Sequence, residues 1–262
     1  MRNIPLIVVF VCLAFICPFL YADTIMIQAD SWCPYNCDPN TASPGYMIEV
    51  AETVFKKKGH AIKYSQNLWS RALYRVNRGN LDAVVGVSKR EAPQLIYPEE
   101  SLGFSVTVFF TRRDSSWEYQ GVKSLGTVKV GIQKDYDYGE KLQAYFQQYQ
   151  KSDKVQVALD GLALFPLQVN MEKLMKGEID AVPEDKNVFL YTAKEMGCLD
   201  KVRYAGSEKD MTPESNNVYI AFSPVNKKSQ EYADILTQGI RELRAIGELK
   251  RILEKYGLSD WK

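Results

Sequence analysis

Two adjacent carboxylates close the segment Asp180-Ala181-Val182-Pro183-Glu184-Asp185, and either could move a proton as a general acid or base if it faced a cleft. Asp185 also stands where a helix can begin, and Asp is among the best residues for capping a helix amino terminus. Far upstream, Trp32 and Tyr35 fall in a loop where their rings would offer a flat wall for stacking or cation–π contact, unless Trp32 is simply core. Cys33 and Cys37 in the same loop can close a small ring as a disulfide in an oxidising compartment. A redox or metal pair is the competing reading, but the spacer is three residues and no ligand cluster accompanies it. Gly86, Val87 and Ser88 follow a strand, so their backbone groups and the Ser88 hydroxyl are candidate polar contacts. Tyr136 lies in Asp135-Tyr136-Asp137-Tyr138, which opens a helix; two acids there complement the helix dipole and would repel an anion.

Other chemistry is excluded by what the composition lacks. With a single histidine, His60, multi-histidine metal sites and His-based triads are close to excluded. No nucleophile–base pair, phosphate-cradling glycine loop or metal cluster stands out, so no cofactor and no metal are expected. The 33 Lys+Arg balance 32 Asp+Glu, and a formal charge of +1 provides no field for condensing on nucleic acid or anionic lipid. A hydrophobic content of 46% over 262 residues is that of a folded chain, long enough for one large domain or two lobes.

Met1-Arg2-Asn3 and the apolar run Ile4 to Leu20 read as a secretory leader, cleaved after Ala22 to leave Asp23 first. The alternative, an uncleaved anchor, needs about 20 spanning residues and would carry Pro18 near its end. Cys12 and Cys17 leave with the leader, so Cys198 is the odd cysteine of the mature chain.

The elements that must position these residues alternate. Thr24–Ala29 reads as a strand, Ile48–Lys58 as a helix stopped by Gly59, Ala61–Tyr64 as a strand, Leu68–Arg78 as a helix and Leu81–Val87 as a buried strand. After an extended stretch from Val106 to Thr111 the alternation repeats: strand Val128–Ile132, helix Tyr138–Tyr149, strand Val155–Ala158, helix Phe165–Lys176, strand Ile179–Val182. Val218–Phe222 is extended, and helices over Ser229–Leu243 and Ile246–Tyr256 are expected to pack back on the first half. The pattern predicts an α/β chain of two similar lobes, each with a mostly parallel sheet: residues 23–111 with 218–262, and 112–217. Extended crossings near Phe109–Thr111 and Val218–Phe222 make a two-strand hinge, and a cleft between the lobes' strand ends is where a small molecule would be enclosed.

In Pro44-Gly45-Tyr46-Met47-Ile48-Glu49-Val50, Gly79-Asn80-Leu81-Asp82-Ala83-Val84-Val85-Gly86, Tyr97-Pro98-Glu99-Glu100-Ser101-Leu102-Gly103, Val130-Gly131-Ile132-Gln133, Gly177-Glu178-Ile179-Asp180-Ala181-Val182 and the terminal Leu249 to Gly257, the chain resembles extracytoplasmic solute-binding proteins of family 3, the polar amino-acid type of ABC-transporter receptor. The resemblance runs over nearly the whole mature chain and implies a periplasmic-binding-protein-like fold of type II. It implies a periplasmic receptor that closes over a small polar solute and hands it to an ABC permease, and one-to-one lobe closure makes a monomer the default. It also implies that an arginine after the first lobe's third strand grips a ligand carboxylate, because guanidinium binds carboxylate as a fork. By the same likeness Asp185 would pair with an ammonium, and Trp69, beside Arg71, would lie over the ligand, although helical spacing with Leu73 equally allows core packing. The chain departs from the pattern twice. Gly86-Val87-Ser88-Lys89-Arg90-Glu91-Ala92-Pro93 lacks Thr-x-x-Arg and sets Pro93 at the guanidinium's place, so either Arg90 serves through a shorter loop or it is a solvated charge. Asp135 to Tyr138 replaces a carboxylate-binding Gly-Thr-Thr. Two further functions fit the scaffold: a periplasmic enzyme resembling cyclohexadienyl dehydratases, using Glu184 or Asp185, and a ligand sensor for a membrane kinase.

Overall fold

A computed structural model describes residues 22–158, 165–209 and 212–262. The expected leader lies outside them except for Ala22, and no helix of the described residues is long and apolar enough to cross a membrane. The first half forms β1 (Thr24–Ala29), α1 (Tyr46–Lys57), β2 (Ala61–Gln66), α2 (Trp69–Asn77), β3 (Ala83–Val87) and the short β4 (Gly103–Phe104). Next come β5 (Thr107–Arg112), β6 (Val130–Gln133), α3 (Glu140–Tyr149), β7 (Val155–Ala158), α4 (Pro166–Lys176), β8 (Ala181–Asp185), α5 (Lys186–Glu195) and β9 (Val202–Ser207). The chain closes with the single turn α6 (Pro213–Asn216), then β10 (Asn217–Phe222), α7 (Ser229–Ala245) and α8 (Glu248–Lys255).

Two sheets result, ordered β2-β1-β3-β10-β4 and β7-β6-β8-β5-β9. Each has a parallel trio, built from the repeated strand–helix–strand passages, then one strand antiparallel to the trio and an edge strand antiparallel to that one. The sheets are therefore mixed rather than mostly parallel. The expected crossings also move. β5 pairs with β8 and β9, so Phe109–Thr111 lies inside the second sheet and the chain leaves the first sheet at Ser105 and Val106. On the way back it passes from β9 to β10, which pairs with β3.

Apolar faces cover both sides of each sheet. α1, α7 and α8 pack on one face of the first sheet through Phe55, Leu236, Ile240 and Leu249, all essentially unexposed. α2 with Leu95 covers the other face. Helices α4 and α5 cover one face of the second sheet through Met171 and Phe189, and α3 covers the other through Leu142 and Phe146. Each such buried side chain contributes about 2 kcal/mol of transfer free energy. α7 approaches α1 closely because position 239 is glycine: a Cβ there would meet the Val54 side chain at 2.3 Å. α7 runs to Ala245 and α8 starts after Gly247, so Ile246, expected to open the second helix, caps the first instead.

Candidate functional site

The loop after β1 is tied into a rigid knot. Trp32 N–H donates to the Asn36 carbonyl at 3.0 Å, Tyr35 N–H donates to the Trp32 carbonyl at 3.0 Å, and Asn36 Nδ2 donates to the Asp30 carbonyl at 2.7 Å. Cys33 and Cys37 form the expected disulfide across it. The knot stacks the Trp32 ring on Tyr35, with centroids 4.3 Å apart. Beneath Trp32 lies Gly86, held at φ 88°, a left-handed value that glycine adopts at no steric cost. A Cβ on Gly86 would come within 3.3 Å of the Trp32 ring.

From the second sheet, the end of β8 points Glu184 and Asp185 at this knot. Trp32 Nε1 donates to Glu184 Oε1 at 3.0 Å, and Tyr35 Oη donates to Asp185 Oδ2 at 3.2 Å. Asp185 also caps α5, its Oδ1 accepting from the backbone N–H of Asn187 (2.8 Å) and Val188 (3.1 Å), so its capping role is real and its oxygens are engaged. Glu184 accepts further from the Asp185 N–H at 2.8 Å and from Gln133 Nε2. Every one of these donors is neutral. Burial therefore dominates and pushes the Glu184 carboxyl up to about 7, with the Asp185 charge adding to the rise and the Trp32 bond opposing it. Asp185 is raised for the same first reason, burial.

Two more bridges join the halves. Arg90 Nε donates to Asp137 Oδ2 at 2.7 Å, and Tyr136 Oη donates to Asp30. Burial, reinforced by the Asp30 charge, holds the Tyr136 hydroxyl well above its ordinary value. On the first-sheet side Trp69 Nε1 donates to Glu91 Oε1 at 2.6 Å, and burial lifts Glu91 to about 8.

These groups surround one cleft that encloses about 100 Å³, lined from the first half by Asp30, Trp32, Trp69, Gly86, Ser88, Arg90 and Glu91 and from the second by Tyr136, Asp137, Tyr138, Glu184 and Asp185. Of the residues expected from sequence, Trp32, Trp69, Gly86, Ser88, Arg90, Tyr136 and Asp185 line it. Tyr35 backs Trp32 from behind, and Val87, wholly buried, belongs to the core under α2. The Asp135–Tyr138 segment does not open α3 but forms a turn before it, with Asp137 Oδ1 accepting from Gly139 N–H at 2.9 Å. Arg90 keeps 36% of its side chain exposed, and its Nε is paired with Asp137. Asp30, Glu91, Asp137 and Tyr138 are cleft residues that sequence reasoning missed. The acidic pair flanking Tyr136 was the available signal for Asp137.

Two mixed sheets with helices on both faces, joined by two crossings and meeting over a polar cleft, define a two-lobed α/β binding-protein fold. The family model for bacterial extracellular solute-binding proteins, family 3, matches residues 25–259, and the chain belongs to that family. No curated protein matches it significantly. Solved structures resemble it at low identity. One concerned with glutathione import through GshT and the cystine importer TcyBC of Streptococcus mutans has TM-score 0.74 and 18% identity, covering 92% of this chain and 98% of that one. A histidine kinase sensor domain with similarity to periplasmic binding proteins has TM-score 0.71 and 19% identity, covering 90% and 98%. ArtJ of Geobacillus stearothermophilus, an arginine-, lysine- and histidine-binding protein, has TM-score 0.68 and 14% identity, covering 91% and 96%. At these identities the likeness establishes the fold alone.

Proposed function

We propose that this chain is an extracytoplasmic receptor that captures a small polar solute by closing its lobes and releases it unaltered to an ABC-type permease. The observation that carries the reading is the set of hydrogen bonds spanning the cleft, Trp32 to Glu184 and Arg90 to Asp137 foremost. Such bonds form only when the lobes approach, so a solute that fits between them and adds contacts shifts the population toward closure. Closure needs differential affinity and no reactive group. Family membership and the solved relatives, which include importer components, support the transport role. In this reading the lobes are residues 23–106 with 217–262, and 107–207, and the chain works as a monomer outside the cytoplasm after losing its leader.

A second reading has one specific support. Glu184 and Glu91 sit in the cleft with carboxyls lifted to about 7 and 8, a range suited to proton transfer at neutral pH. An enzyme on this scaffold would use them. A thermal-shift screen over amino acids, amines, short peptides and organic acids, followed by mass spectrometry of each hit after incubation, separates the two. A stabilising solute recovered intact supports the receptor; a converted solute overturns it, and so does a complete panel without any shift.

A further inference from the structure

Any carboxylate entering this cleft must find a donor, and the one cationic donor among the described lining residues is already paired within the protein. Among the described residues that line the cleft, Arg90 is the single cationic side chain. Its Nε donates to Asp137 Oδ2 at 2.7 Å. The other oxygen of the same carboxylate takes the Gly139 N–H at 2.9 Å, at the amino terminus of the ten-residue helix α3. The Arg90 guanidinium lies against that backbone, with Nη1 within 3.7 Å of the place a Gly139 Cβ would occupy. Asp137 therefore takes up the guanidinium Nε and the backbone N–H of the residue that precedes α3, much as a ligand carboxylate would.

Apart from the neutral side chains of Ser88, Ser105, Thr107, Ser215 and Asn216, the polar groups that remain facing the cleft are acidic or aromatic. Glu91, Glu184 and Asp185 receive their hydrogen bonds from indole, amide, hydroxyl and backbone donors, none of them charged. Buried charge without a counter-charge is unfavourable, and a cation entering between these carboxylates removes that cost. Trp32 and Trp69 line the cleft beside them, and aromatic rings attract cations. Among the described residues, no group of three or more His, Cys, Asp or Glu side chains is placed to hold a metal ion, so an organic cation fits the arrangement better.

Resting on the receptor reading above, we propose that the solute is a small organic cation without a carboxylate, an amine or guanidine, because Asp137 occupies from within the position a ligand carboxylate would need. Decarboxylated pairs test this directly: agmatine against arginine, cadaverine against lysine and putrescine against ornithine, each titrated calorimetrically into the mature chain at about pH 8, where the cleft carboxyls ionise. The expected result is that the amine of at least one pair binds about tenfold or more tightly than its amino acid. Equal or tighter binding of the amino acid in every pair overturns the proposal and leaves the receptor reading standing. Silence from all of these compounds also overturns it, and the wider solute panel then decides the receptor reading separately. Two variants locate the cause. Asp137→Asn frees Arg90 and should shift the preference about tenfold toward the amino acid; an unchanged preference contradicts the role given to Asp137. Glu184→Gln should weaken the amine about tenfold, and unchanged amine affinity counts against the acidic pocket.

Discussion

The indole Nε1 of Trp32 donates to Glu184 Oε1 at 3.0 Å across 152 residues of sequence and from one sheet to the other. One bond thereby joins an aromatic wall, itself stacked on Tyr35, to a carboxyl whose proton is held by burial. The same carboxyl senses closure and charge, since it loses water when the lobes meet and gains a partner when a cation enters.

Replacing Glu184 with Gln keeps the side chain's shape and removes the buried charge. Raised from 4.5 to about 7, the carboxyl costs the folded chain about 3 kcal/mol when ionised. Ligand-free Glu184→Gln protein is therefore expected to unfold at higher denaturant than wild type at about pH 8, by up to that amount, and to differ little at about pH 4. A variant less stable than wild type at both pH values contradicts the assignment.

The pH dependence of the wild type has a defined sign. Glu184 and Glu91 have folded-state values of about 7 and 8, above the 4.5 of a free glutamate. Their contribution is fully present below about pH 4.5 and is lost as pH rises through about 7 to 8, because the unfolded chain ionises first. Denaturation midpoints between those limits should fall with pH. Cation binding should tighten over the same window and release protons, seen as a dependence of titration heat on the buffer's ionisation enthalpy. Heats that are the same in every buffer would rule out coupling between the cleft carboxyls and the ligand.

The Cys33–Cys37 link closes a loop of a few residues that carries Tyr35 and directly follows Trp32. Removing it with Cys33→Ser and Cys37→Ser should lower stability by about 2 kcal/mol through freedom regained by the unfolded chain. Solute affinity should fall as well, since the knot sets the Trp32 ring. Wild-type affinity in the double variant would show that the backbone bonds of Trp32 and Asn36 suffice.

Gly86→Ala places a side chain at φ 88° and a methyl 3.3 Å from the Trp32 ring. A loss of about 1–2 kcal/mol is expected from the backbone alone, measured by chemical denaturation. Tilting of Trp32 should appear as a shift in tryptophan fluorescence that Gly126→Ala, on an open surface, does not produce.

Much of this architecture is legible in local pattern. Strand–helix alternation, breaks near Gly59 and Gly177, and the cysteine spacing are short-range signals, and the corresponding elements stand within a few residues of expectation. What escapes is non-local. Thr107–Arg112 reads as an extended apolar run whichever sheet it joins, and its pairing with Ala181–Asp185 is decided by contacts far along the chain. Short β4 and exposed-faced β9 carry too little periodicity to be singled out. Arg90 illustrates the same limit at the site: its partner Asp137 is 47 residues away, so no spacing could show that the guanidinium is engaged. Asp185 was legible because capping is local, whereas the rise in Glu184 comes from burial between two sheets.

Small-angle scattering of the mature chain, alone and with each solute that stabilises it, tests lobe closure most directly. The expected result is a radius of gyration that shrinks on addition of such a solute, saturates at one molecule per chain, and reverses when intact solute is dialysed away. A stabilising solute that leaves the scattering curve unchanged at saturation would contradict closure of the Trp32 and Glu184 sides upon it.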